Sequence, residues 1–220
     1  MAAGGPEWVV REDASIPVLV ALYLRQALGI RFPEELPHLR GAAPTASDPG
    51  EGESRGADAD ADADADALAD ALERQWRTYW DMTVEPLAHR STVPLDLIDG
   101  FDTYVALPVE GFDELAAAVA PHGPAAVAFA KGAAERYQER AKSEARSGGS
   151  TYRAYASAIA QHERAAGRRA HSFELNVQVL PFEQRGVWWI GALTVAVTDG
   201  LRGDIVAFDA AIAPVIAELA

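Results

Sequence analysis

HSFELNVQVL PFEQRGVWWI GALTVAVTDG LRGDIVAFDA AIAPVIAELA, residues 171–220, is the stretch on which the reading of the fold turns. From Ser172 to Leu180 the residues alternate. Phe173, Leu175, Val177 and Val179 share one face, and Glu174, Asn176 and Gln178 share the other. A period of two marks a half-buried strand. Pro181 ends it, because proline has no amide to donate to a ladder. Val187 to Thr198 is rich in β-branched and aromatic residues, which suit a pleated surface. An antiparallel hairpin over 172–198 follows, with Val179 opposite Trp189, Leu175 opposite Leu193 and Phe173 opposite Val195.

Asp199-Gly200 signals a turn. Asp204 then caps a helix in which Ile205, Phe208, Ile212, Val215, Ile216 and Leu219 recur at helical spacing. Pro214 lies inside that pattern and is expected to kink or split the helix near Ala211.

Working back towards the amino terminus, Trp8-Val9-Val10 reads as a short strand or staple. Ser15 and Gly29 bracket a helix over about 15–28. Residues 41–66 have the composition of an acidic, disordered insert that ends in an Ala-Asp repeat. Residues 48–73 carry ten acids against Arg55. A helix over about 67–82 brings Trp76 and Trp80 onto one face. Phe101 to Leu107 reads as a third strand, and Asp113 as the cap of a short helix. Two longer helices follow, 124–146 and 151–166, separated by Ser147-Gly148-Gly149-Ser150. The stretch 131–169 holds nine bases against four acids. The whole is an α+β fold: a small antiparallel sheet packed by the carboxy-terminal helix and further helices, in one domain over 1–220.

Composition narrows the chemistry. With no cysteine, disulfides, thiolate nucleophiles and cysteine-held metals are excluded. That composition fits a reducing, cytoplasmic setting, and the abundance of Ala and Arg suggests a bacterial source. A net charge of −14 argues against nucleic acid as a partner. The longest apolar run, Ile16 to Leu24, is too short to span a bilayer, so no membrane partner is expected. Phosphate loops, zinc-protease signatures and nucleophile elbows are absent. No metal site and no cofactor are expected; His162 and His171 flank one connection but lack a third ligand.

Two functional expectations remain. The first is a non-enzymatic binding or adaptor protein with a protein partner or self-association as a homodimer, Trp76 and Trp80 lying at the interface. The second is a small hydrolase or small-molecule-binding enzyme whose ligand meets Glu174, Asn176, Gln178 and Trp188 on the polar face of the hairpin. In that reading Asp96, Asp99 and Asp102 approach the same face, although turn caps account for them more simply.

Overall fold

A computed structural model of the chain describes residues 7–41, 59–146 and 151–220. In chain order its elements are β1 (Trp8–Asp13), α1 (Ile16–Ala27), α2 (Ala59–Val84), β2 (Leu95–Leu97), β3 (Ala106–Pro108), α3 (Asp113–Val119), a single 3-10 turn (Ala120–His122), α4 (Gly123–Arg146), α5 (Thr151–Ala166), β4 (Phe173–Leu180), β5 (Val187–Trp189), β6 (Thr194–Thr198), α6 (Asp199–Arg202) and α7 (Ile205–Leu219). The fold is mixed α+β with a carboxy-terminal helix. Among the described residues no helix is long and apolar enough to cross a membrane. The chain divides into two compact units: residues 1–15 with 132–220, and residues 16–131. The division falls inside α4.

The first unit is built on a four-stranded sheet of order β1-β4-β6-β5. The alternation of β4 is borne out: Phe173, Leu175, Val177 and Val179 are all buried in one core with Val195 and Val197 of β6. The hairpin pairing is not. β4 and β6 run parallel, Val177 facing Val195 and Val179 facing Val197. β5 turns back as a hairpin partner should, but it pairs with β6, Trp189 facing Val195. The single second strand expected over 187–198 is split into β5 and β6, and it is β6 that lies beside β4, parallel rather than antiparallel. Both arrangements bury Val195 with the apolar face of β4, but Leu193, expected opposite Leu175, is 44% exposed. β1 joins the free edge of β4 in parallel, Val10 facing Leu175.

Helices α5 and α7 cover this core through Tyr155 and Ile159, and through Phe208, Ile212, Val215 and Ile216. α7 begins as expected, the Asp204 carboxylate accepting from the Ala207 amide at 3.1 Å. It runs unbroken through Pro214. Burial of Ile212, Val215 and Ile216 holds the backbone helical despite the missing donor. Ile205, on the expected stripe, is exposed instead.

The Asp199-Gly200 turn is the start of α6. Gly200 donates to the Phe182 carbonyl at 2.9 Å, and a Cβ there would lie 1.9 Å from the carbonyl oxygen of Glu183. Backbone atoms cannot yield as a side-chain tip does. Gly200→Ala is therefore expected to cost about 1–3 kcal/mol or more, read as a lower urea midpoint. Gly186→Ala is the control: there a Cβ meets the ring of Trp188 at 2.0 Å, and a ring can rotate away. An alanine at 200 as stable as the parent would contradict this packing.

The described regular structure of the second unit is helical apart from a β2–β3 ribbon, Leu95 facing Pro108 and Leu97 facing Ala106. Only the end of the expected strand 101–107 is extended. Tyr104 donates to the Phe101 carbonyl at 3.0 Å and Asp102 takes a positive φ of 54°. That turn folds the chain back on β2, so β3 belongs to a separate sheet from β4 and β6. α2 starts at Ala59, within the stretch read as an insert; residues 42–58 lie outside the described residues. Asp113 is the first residue of α3 rather than its cap; the Leu115 amide in the first turn donates instead to Gln75 Oε1 of α2 at 2.8 Å.

α1 is buried on every side from Val18 to Leu24. It ends as expected at Gly29, with φ of 67°. The Ile30 amide donates to the Arg25 carbonyl at 2.9 Å and the Gly29 amide to Gln26 at 3.2 Å, the paired bonds of a Schellman end.

Candidate functional site

Adjacent rows of the sheet place Asp13, Gln178, Ala196 and Trp188 in one line. Glu174, Asn176, Gln178 and Trp188 therefore share a face, as the alternation implies. Glu174 and Gln178 each have a partner through one oxygen, while the buried Gln178 Nε2 has none among the described residues. Glu174 Oε2 accepts from Arg11 Nη1 at 2.7 Å. The Arg11 guanidinium holds the Glu174 carboxyl below the ordinary range. Gln178 is buried, its Oε1 accepting from the Ser15 amide at 3.3 Å. Trp188 lies over Gly186. Glu174 and Arg11 do line a cleft of about 820 Å³ with Val9 and Leu193. A carboxylate kept ionised by an arginine is poorly suited to act as a general acid at neutral pH.

Trp76 and Trp80, expected at an interface, are fully buried inside the second unit. Trp76 packs on Tyr79 and Trp80 at ring-centroid distances of 5.4 and 6.0 Å, and its Nε1 donates to the Phe32 carbonyl at 3.2 Å. They are core side chains of their own unit. Asp102 pairs with Lys131 at 2.7 Å on the surface. Asp96 and Asp99 are also exposed.

The structure assembles one charged cluster that the sequence reading missed. Glu12 is next to last in β1, Asp199 follows β6, Arg202 closes α6, and Tyr137, Arg140 and Glu144 lie along α4. Arg202, only 5% exposed in its side chain, reaches Glu12 at 3.1 Å, Glu144 at 3.4 Å and Asp199 at 3.4 Å. Its guanidinium also sits over the Tyr137 ring, 5.9 Å from the centroid. Arg140 meets the other oxygen of Asp199 at 3.1 Å. Tyr155 donates to Glu12 at 2.7 Å.

Burial pushes the Asp199 carboxyl above its ordinary value, and Arg140 and Arg202 pull it partly back. Burial also opposes the Arg202 charge, but Glu12, Glu144 and Asp199 together outweigh it and hold the guanidinium above its usual value. Burial and the charge of Glu12 raise the Tyr155 hydroxyl far above the range in which it ionises. Each charge in the cluster has an opposite partner. Such a network ties α4, α5 and α6 to the carboxyl ends of β1 and β6. The sequence carried a partial signal, since Tyr137, Arg140 and Glu144 sit three and four apart on α4.

The second unit has a cleft of about 470 Å³ formed by the last turns of α2, the 85–93 turn and the segment after β3. Asp81 and Met82 come from α2, and Pro108, Glu110 and Phe112 from the far wall segment. The turn is held by Ser91, whose Oγ accepts from the Val93 amide at 3.2 Å and donates to the Val93 carbonyl at 2.8 Å. Burial raises the Asp81 carboxyl above its ordinary value, with His89 opposing that shift. Among the described residues no group of three or more His, Asp or Glu is placed to hold a metal ion.

Compared with family models, curated proteins and solved structures, the chain matches none.

Proposed function

We propose that the protein is a non-enzymatic binding or adaptor protein that works as a homodimer, with the β2–β3 ribbon as its contact. The observation that carries this reading is the outer face of the ribbon. Leu95 is 48% exposed and Leu97 57% exposed. They stand two residues apart on one face, opposite Pro108 and Ala106. Paired exposed leucines on an ordered strand mark a contact surface more often than scattered ones do. Edge strands also carry unpaired backbone groups that a second strand can use. The cysteine-free composition fits a bacterial cytoplasm as the setting.

Light scattering after size exclusion, at several concentrations and salts, tests the reading. The parent chain should show a dimer mass that persists at high salt, because the contact is apolar. Leu95→Asp together with Leu97→Asp should give a monomer with an unchanged urea midpoint. A parent that stays monomeric at every concentration, or a double variant that still dimerises, would remove the ribbon from this role.

A further inference from the structure

We propose that the cleft at the end of α2 in the second unit is a binding site for a small primary amine with an apolar body. Its volume of about 470 Å³ falls in the range of small-molecule sites. Asp81 lines it from the last turn of α2; its carboxylate makes no hydrogen bond among the described residues, and His89 of the same lining and Arg77 act on it only through their charge. Glu110 brings a second carboxylate to the same lining.

The end of α2 adds to this field. The last carbonyls of a helix carry its negative pole and favour a cation within a turn. A metal ion is the less suitable cation, because no three ligating groups converge among the described residues. An ammonium group instead needs a few separate acceptors, and the two carboxylates supply them. Met82, Pro108 and Phe112 give the hydrocarbon or aromatic part of the ligand a surface to bury. Arg90, exposed, also lines the cleft and disfavours a bare cation. Its removal should leave amine binding as tight or tighter.

Calorimetric titration of the full chain tests the site with three probes of one shape: 2-phenylethylamine, 2-phenylethanol and 3-phenylpropionate. The amine should bind at least about tenfold more tightly than the alcohol and the acid, the margin expected of one charge-assisted contact. Asp81→Asn keeps the shape and removes the charge, and should weaken the amine at least about tenfold. Glu110→Gln, on an exposed segment, is the second variant should the first fail to fold, and should also weaken it. Arg90→Gln should bind the amine no more weakly than the parent.

The proposal is overturned if the amine does not bind at about 10 mM, or if the alcohol binds equally well. It is equally overturned if the folded charge-removing variants bind the amine like the parent.

Discussion

Arg202→Met should lower the stability of the first unit by about 3–5 kcal/mol at neutral pH, the usual cost of removing one partner from a buried ion pair. The reason is the charge left behind. Arg202 faces Glu12, Glu144 and Asp199 at once, and Asp199 is as buried as Arg202 itself. Methionine fills a similar volume but offers neither charge nor donors. Among the described residues Asp199 then keeps Arg140, which is half-exposed.

The pH dependence has a definite sign. Burial already holds the Asp199 carboxyl above its ordinary value, so the folded state binds its proton more readily than the unfolded chain. Removing Arg202 raises that carboxyl further. A group raised in this way costs stability as pH climbs from the ordinary carboxyl range, about 4, through the folded value. The deficit of the variant should therefore be largest at neutral pH and narrow as pH falls towards about 4, where protonation relieves the unpaired acid. Urea unfolding of the parent and Arg202→Met at several pH values measures this. A deficit that does not change with pH would mean that lost packing, rather than stranded charge, sets the cost.

Arg25→Met should be comparably damaging, at about 3–5 kcal/mol, because buried acceptors left without donors each cost about 1–3 kcal/mol and part of the loop can still reach water. Arg25 is 2% exposed and, among the described residues, meets only carbonyl oxygens. Its Nε donates to the Phe32 carbonyl at 3.0 Å, its Nη1 to Pro37 at 3.3 Å, and its Nη2 to Arg31 at 2.7 Å, to Pro33 at 3.0 Å and to Leu36. Burial without a counter-charge lowers the guanidinium to about 10, so it remains charged at neutral pH.

One planar fork thus organises the irregular chain from 31 to 37. Lysine has three donors on one atom and cannot reach around that ring of carbonyls, so Arg25→Lys should recover little of the loss. Trp76 donates to the Phe32 carbonyl in the same loop. Tryptophan fluorescence during urea unfolding therefore reads the change where it occurs. A methionine variant within about 1 kcal/mol of the parent would show that water satisfies these carbonyls without the arginine.

What the sequence determined by itself is local. Gly29 ends α1 in a left-handed turn and Asp204 caps α7, because each depends on neighbours within one helical turn. The alternation of Phe173, Leu175, Val177 and Val179 named the buried face of β4, since successive side chains of a strand point to opposite sides. The α+β class followed from these elements.

Tertiary structure decided the rest. Period two says which face is buried and nothing about which strand lies alongside or in which direction, so the strand expected over 187–198 is split, and its second half, β6, runs parallel to β4. Trp76 and Trp80 share a helix face in either case, but only the packing of α1, α2 and the 31–37 loop shows that face to be core. The charged cluster lay furthest from view. Glu12 and Arg202 are 190 residues apart in the chain, and no local rule of spacing connects them. Parallel strands place their carboxyl ends at one edge of the sheet, and that shared edge brings Glu12 and Asp199 within reach of the same arginine.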